Sequence, residues 1–338
     1  MLKIAFAGFR HGHIMGLYNT CRNHPGVKLV AACEEDAPTR ESLNAAGKVE
    51  IGHSDYQHML ETVDCDAIAV GDYFAKRGAL IIAALKAGKH VISDKPVCTR
   101  ISELEEIAGL VKTMDRRLGC LLDLRDSGVF ITARKLIRQG AIGEVLTANF
   151  TAQHPLLRAT RPKWYFEQGK HGGTINDIAV HGIDLIPWVT GRQIAYVVSA
   201  RTWNARVPEA PQFHDGGQFM LKMDNGGGVL GDVSYFTPDA LAYSAPQYWR
   251  LTVHGTEGLV EASFSQRTVM LAKAADKAPQ SVPLEKDHPT GCLDAFIGDV
   301  EGRSDAAHLT SAEALRASRV TLLIQQAADR NECNVPLS

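Results

Sequence analysis

The sequence predicts an α/β domain on a doubly wound parallel sheet, followed by an α+β domain with an open, mostly antiparallel sheet covered by helices. Three observations predict it. The first third alternates short apolar runs with helical stretches across short links. Beyond Leu122 the pattern changes to longer alternating segments separated by turn signals. The chain of 338 residues, 45% of them hydrophobic, also exceeds one average domain and carries apolar side chains for more than one core. The expected domains are 1–122 and 123–338.

Each element of the first domain follows from its residues. Lys3–Ala7 is an apolar run ending in Gly8, and His13–His24 reads as a helix stopped by Pro25-Gly26. Val27–Cys33 is a second buried strand, followed by a charged helix over Pro38–Ala46. Ala67–Val70, the Ala/Leu-rich helix Gly78–Ala87, His90–Ser93, the helix Ser102–Met114 and Leu118–Leu122 continue the alternation, with Thr99 and Ser102 as capping candidates. Repeated βα units on short links require parallel strands, because a crossover helix must return the chain to the same edge. Right-handed crossovers then place helices on both faces.

In the second domain a helix, Ser127–Gln139, precedes the segments Val145–Gln153, Ala195–Trp203, Gln218–Met223, Gly228–Tyr235 and Trp249–Val253. Asp224-Asn225-Gly226 and His254-Gly255-Thr256 are turn signals between them, and an amphipathic helix over Ser311–Arg330 closes the pattern.

Composition narrows the function. A net charge of −2 with no Lys/Arg block argues against nucleic acid and against a polybasic membrane contact. Seven scattered cysteines without a C-x-x-C pair fit neither a disulfide framework nor a structural zinc site, so a reducing compartment is expected. The apolar opening Met1–Gly8 is too short for a signal-peptide core. No stretch approaches the roughly 20 apolar residues that span a bilayer. The expected address is the cytoplasm.

The first strand runs into Gly8-Phe9-Arg10-His11-Gly12-His13 and then a helix. A dinucleotide needs a sharp turn here, close backbone approach to its pyrophosphate, and the free N–H groups of a helix start. Of the G-x-G-x-x-G pattern only Gly8 is in register, because Arg10 and His13 stand at the other glycine positions. An ordinary strand-to-helix turn would read the same way. Arg10 and His11 offer charge-assisted bonds to phosphate. The second strand ends in Cys33-Glu34-Glu35-Asp36, where a carboxylate would accept from ribose hydroxyls and repel the extra phosphate of NADP. Glu34 is the candidate and NAD the expected cofactor; a plain surface residue is the alternative.

Ala87-Gly88-Lys89-His90-Val91-Ile92-Ser93-Asp94-Lys95-Pro96 places Asp94 and Lys95 at the carboxyl end of a strand, where open α/β sheets bind ligands. Pro96 restrains the backbone beside Lys95. An ammonium held there stabilises charge developing on a substrate oxygen. Farther on, Gly172-Gly173 leads into a helical segment on which Asp177 and His181 are four apart and share a face, with Asp184 three beyond. A carboxylate so placed orients an imidazole, or both groups hold neighbouring hydroxyls, and histidine suits proton transfer near neutral pH. A helix cap with a hydrogen-bonded core histidine is the structural alternative.

These segments, with Ile137–Val145 and Val253–Gly258, resemble the glucose–fructose oxidoreductase, inositol dehydrogenase and rhizopine-catabolism (Gfo/Idh/MocA) family nearly end to end. The family commonly has A-G-K-H-V-x-x-E-K-P, so Asp94 replaces Glu, and Ala179 replaces a glycine of G-G-G-x-L-x-D-x-G-x-H-x-x-D. After the third strand, Asp72, Tyr73 and Arg77 stand where relatives have Thr-Pro and then His, in a region that lines their cofactor. The resemblance implies a Rossmann domain and catalytic roles for Lys95, Asp177 and His181. It implies cofactor contacts from Gly8, Phe9, Arg10, His11, Gly12, Glu34, Asp72, Asp94 and Lys95. Arg125 and Trp164, together with Asp177 and His181, are substrate candidates; Asp126, Tyr165, His171, His214 and Asp215 are weaker ones. No metal is indicated by spacing.

The implied activity is hydride transfer between a nicotinamide and a secondary alcohol of a sugar, sugar acid or cyclitol, with the Lys95 amine and the His181 imidazole meeting over the nicotinamide. A redox-neutral glycosidase or epimerase, and a non-catalytic NAD sensor, are the alternatives. Association through the open face of the second sheet, as a dimer or tetramer, is implied by resemblance alone.

Overall fold

A computed structural model of the protein describes residues 1–303 and 308–337. The chain folds as two compact units, the first of 1–121, 169–172 and 290–318 and the second of 122–168, 173–289 and 319–338.

The first unit carries strands β1 (Leu2–Ala7), β2 (Val27–Cys33), β3 (Ala67–Val70), β4 (His90–Ser93) and β5 (Leu118–Cys120). They form one sheet in the order β2-β1-β3-β4-β5, every pair parallel. The helices between them are α1 (His13–Asn23), α2 (Ala37–Ala45), α3 (Tyr56–Thr62), α4 (Phe74–Lys86) and α5 (Ile101–Thr113). β3 is buried along its whole length, as a central parallel strand covered on both faces must be.

Local chemistry sets several boundaries. Asp36 caps α2 by accepting from the Thr39 N–H at 3.0 Å. Asp55 caps α3, a helix absent from the sequence reading, by accepting from the His58 N–H at 2.8 Å. α4 starts four residues earlier than periodicity suggested, because buried Arg77 belongs to its first turn. Neither Thr99 nor Ser102 caps α5; Arg100 holds that position without a side-chain bond.

The second unit begins with a short 3₁₀ turn at Asp123–Asp126, then α6 (Gly128–Arg138) and β6 (Val145–Pro155). A π-helical turn over Ile175–Ala179 runs into α7 (Val180–Thr190). The strands β7 (Ile194–Trp203), β8 (Gly216–Met223), β9 (Gly228–Thr237), β10 (Arg250–Gly255), β11 (Gly258–Ser263), β12 (Thr268–Lys273) and β13 (Gln280–Pro283) follow, and β14 (Val335–Pro336) adds to the edge. The sheet order is β13-β12-β11-β10-β6-β9-β8-β7-β14. All neighbours are antiparallel except β6 and β9. β8 alternates buried and exposed residues along Phe219–Met223, so one face packs inward and the other stays open.

Helices α8 (Gly291–Val300) and α9 (Ser311–Arg330) complete the chain. α8 differs from the contiguous second domain expected from sequence. Leu293, Phe296 and Ile297 bury themselves in one cluster with Ile4, Phe6, Leu17, Cys21 and Ile92, so this stretch belongs to the first core. Among the described residues, no helix is long and apolar enough to cross a membrane, and the cysteines are free.

Candidate functional site

In the first unit, β1 runs into Gly8, whose φ of +80° suits glycine. A Cβ there would stand 2.6 Å from that of Asp72, so the β1 turn and the end of β3 touch backbone to side chain. No side chain caps α1 at Gly12, which leaves the start of that helix to a ligand. An added Cβ at Gly12 would meet nothing within 4 Å. These features fit a dinucleotide phosphate group.

The charged residues around the turn are paired. Arg10 places Nε 2.6 Å from Asp72 Oδ1 and Nη2 3.0 Å from Oδ2, and its guanidinium lies 4.5 Å from the centre of the Tyr73 ring. Lys76 sits 3.3 Å from the same carboxylate. Glu34 ends next to β2, fully buried, and accepts from the Phe9 N–H at 2.6 Å and the Asp36 N–H at 2.8 Å. Burial raises its carboxyl above the ordinary value against those two backbone bonds. The sequence assigns Glu34 to the ribose hydroxyls, with a plain surface residue as the alternative; the fold buries it fully and bonds it to the Phe9 and Asp36 N–H groups, between the β1 turn and the start of α2.

Asp94 is fully buried at the end of β4. Arg77 Nη2 donates to its Oδ2 at 2.8 Å, His11 Nδ1 bonds the same oxygen, and His13 Nδ1 lies 3.5 Å from Oδ1. Burial alone would raise this carboxyl, but Arg77, His11 and His13 hold it well below the usual carboxylate range. Arg77 also donates to the carbonyls of Asp72 (2.8 Å) and Pro96 (3.1 Å), tying the ends of β3 and β4 together. His11, His13 and Asp94 bring possible metal-ligand atoms within 4.8 Å of one another, a grouping that sequence spacing did not reveal. Arg77 already meets the Asp94 charge, so an electrostatic brace accounts for the cluster. Lys95 follows, 4% exposed, on a cis bond to Pro96. His171 packs against Phe74, with ring centres 5.3 Å apart.

In the second unit, Asp177 lies on the π-helical turn and His181 in the first turn of α7, both buried. Gly173 has a φ of +99°, and a Cβ there would come 2.2 Å from the Gln325 side chain. That closeness lets Gln325 Oε1 accept from the N–H groups of Ile175 (3.0 Å) and Asn176 (3.3 Å), capping the turn. The Tyr235 hydroxyl donates to Asp177 Oδ2. Burial and the Asp177 charge push that phenol far above its ordinary value, so it stays a donor. His181 packs edge-on to Trp249 at 4.8 Å between ring centres, and its Nδ1 is 3.8 Å from Asp123 Oδ1.

Asp184 receives Arg125 through both carboxylate oxygens, at 2.7 and 2.5 Å. Trp164 and Tyr165 are buried against each other, with centres 4.2 Å apart. The carbonyl of Asp126 accepts from the His288 N–H at 2.8 Å. Asp215 bonds the N–H groups of Ala205 and Arg206, and His214 bonds Thr202, so both brace the loop before β8. Tyr235, Trp249, His154 and Arg161 join this constellation from strands and loops remote in sequence. No local spacing announces them.

Comparison with known proteins identifies the family and the fold. Residues 2–121 match the model of the oxidoreductase family with an NAD-binding Rossmann fold, and residues 130–261 match the GFO/IDH/MocA C-terminal domain. A levoglucosan dehydrogenase from Pseudarthrobacter phenanthrenivorans is 26% identical over 263 residues, covering 70% of this chain and 67% of that protein. An inositol 2-dehydrogenase from Rhizobium meliloti is 23% identical, covering 81% and 79%. A crystal structure of an oxidoreductase from Agrobacterium radiobacter in complex with NAD+, L-tartaric acid and magnesium shares the fold at a TM-score of 0.80. It is 18% identical and covers 99% of this chain and 98% of that one. With both halves matched and the parallel five-stranded sheet and larger mixed sheet in place, the chain belongs to the Gfo/Idh/MocA family of NAD-binding oxidoreductases.

Proposed function

We propose that the protein is an NAD(H)-dependent dehydrogenase acting on a secondary alcohol of a polyhydroxylated substrate, with Lys95, Asp177 and His181 as its reacting groups. The observation that carries this reading is their burial. Lys95, Asp177 and His181 are 4%, 3% and 4% exposed. Burying ionisable groups is costly, and such groups concentrate at reaction centres. The relatives named as levoglucosan and inositol dehydrogenases support a sugar or a cyclitol within the wider class of sugars, sugar acids and cyclitols.

The Gly8 turn and the open start of α1 at Gly12 would hold the pyrophosphate, and a carboxylate at Glu34 would disfavour a 2′-phosphate, which favours NAD over NADP. When bound, the nicotinamide supplies hydride exchange with the substrate carbon. His181 takes the hydroxyl proton in oxidation and returns it in reduction. The Lys95 ammonium stabilises the charge that builds on the same oxygen. Asp177, held by Tyr235, accepts from a neighbouring hydroxyl and fixes the sugar ring. Arg125 and Trp164 shape the surroundings through their contacts with Asp184 and Tyr165. The exposed Tyr196, Met220 and Leu230 lie on the open side of the second sheet and suit a homodimer or homotetramer.

The test is steady-state NADH formation over a polyol panel, with cofactor affinity measured in parallel. Lys95→Ala and His181→Ala are each expected to lower kcat by roughly 100-fold or more while NAD affinity stays within a few-fold. Turnover at the wild-type level in either variant, or a substrate converted without net NADH, contradicts the assignment.

A further inference from the structure

Arg161 lies half-buried in the second unit, in the segment between β6 and Trp164. Its Nε donates to the Leu156 carbonyl at 2.8 Å and its Nη2 to the Pro155 carbonyl at 2.9 Å. The guanidinium carbon lies 4.9 Å from the centre of the Tyr165 ring and 5.6 Å from that of Tyr235. Among the described residues, no carboxylate pairs with Arg161 and no bond is made by its Nη1. The buried guanidiniums of Arg77 and Arg125 are treated differently, each met by an aspartate at 2.8 Å or closer. Asp177 is a carboxylate that acts on Arg161 without bonding it, and Tyr235 donates to that carboxylate.

A cation partly removed from water with no carboxylate bonded to it is costly, and the two aromatic faces offset only about 1–2 kcal/mol of it. The cation is also joined to the candidate site. Arg161 contacts Tyr235, which bonds Asp177 and lies 6.2 Å from the ring of His154. His154 is 4.7 Å from Trp249, and Trp249 is 4.8 Å from His181. Fixed backbone bonds at two of its nitrogens hold the fork still, so its remaining end is presented at little entropic cost.

We propose that Arg161 is the anchor for a carboxylate on the substrate, so that the protein takes an aldonic or uronic acid rather than a neutral sugar or cyclitol. The identity of the substrate rests on the dehydrogenase reading above, whereas the binding of a carboxylate at Arg161 does not. One open end of a guanidinium matches a single negative charge. A phosphate ester would bring a second charge toward Asp177, which disfavours it.

The test uses the full-length wild type, Arg161→Gln and Arg161→Lys with NAD present. Calorimetric titration compares D-gluconate, D-glucuronate and D-galacturonate with D-glucose, D-galactose, D-glucitol and glucose 6-phosphate. At least one acid is expected to bind wild type roughly 30-fold more tightly than its neutral counterpart, the effect of one charge-assisted bond. Arg161→Gln should erase that preference and leave neutral sugars within about threefold, and Arg161→Lys should keep part of it. Equal affinity for acids and neutral sugars, failure of every acid to bind, tighter binding of the phosphate ester, or equal weakening of all ligands in Arg161→Gln each overturns the proposal. The last would reveal a role only in bracing Pro155 and Leu156. Acid binding that depends on Arg161 without NADH formation would sustain this inference and sink the dehydrogenase reading instead.

Discussion

Glu34, Asp94 and His11 show how much of the turn after β1 depends on single side chains taken out of water. Burial raises Glu34, whereas Asp94 stays ionised because Arg77 and two histidines face it. His11 goes the other way: burial drives its imidazole from 6.5 down to about 4, outweighing the attraction of Asp94. The unfolded chain therefore takes up a proton at this position near pH 6.5, and the folded chain does so only near pH 4. Between those values the unfolded state binds more protons, so stability falls as pH is lowered through the window and is fully present above it. The loss is at most about 3 kcal/mol. Urea denaturation at pH 7 and pH 5 should show a lower midpoint at the acid pH, and His11→Gln should shrink that difference. An equal difference in the variant would remove His11 as its cause. Gly8, Glu34, Asp94 and Lys95 were legible in the sequence because each sits at the end of an apolar run. Arg77, Tyr235 and Trp249 were not, since their partners are chosen by the register of elements far apart in the chain.

Elements were legible to the extent that their residues alone carry the period. α9 shows its limits from Ser311 to Arg330 because its apolar stripe runs unbroken to a charged end. β11, β12 and β13 are short hairpin strands with half-buried faces, and their weak alternation hides them. The π-helical turn at Ile175–Ala179 has no sequence mark either, because its widened bonds come from tertiary contacts. Gln325 on α9 is the contact that matters, since it caps two N–H groups as the turn begins and is itself held by bonding Asp329 at 2.8 Å. Gln325→Ala would leave those two buried donors without that acceptor, a cost of about 1–3 kcal/mol. Because Asp177 rides on this turn, the same variant should raise KM more than it lowers NAD affinity. A thermal midpoint and a KM both unchanged from wild type would show that the turn holds itself.

At the scale of the whole molecule, the chain leaves the first unit at Leu121, returns to it briefly at 169–172 and completes it with 290–318. Sequence texture shows the departure at Leu122 and gives no sign of the return, because an amphipathic helix does not state which core receives its apolar face. The return is not a surface addition. The Phe296 ring stands 2.9 Å from where a Cβ on Gly119 of β5 would lie, and the Leu118 N–H donates to Ser311 Oγ at 2.9 Å. Ser311 is in turn bonded through its N–H to Asp299 at 2.9 Å, so α8, the start of α9 and β5 support one another. Removing Leu293, Phe296 and Ile297 from the cluster exposes three large side chains, each worth about 1.5–3 kcal/mol of burial. That sum is comparable with the 5–15 kcal/mol by which a domain is usually stable. A fragment of residues 1–122 should therefore lack a cooperative thermal transition by circular dichroism and should not bind NAD. The same fragment joined to 290–318 through a flexible Gly/Ser linker should regain both. If 1–122 alone melts cooperatively and binds the dinucleotide, the five-stranded sheet is sufficient without α8, and the C-terminal return serves some purpose other than completing that core.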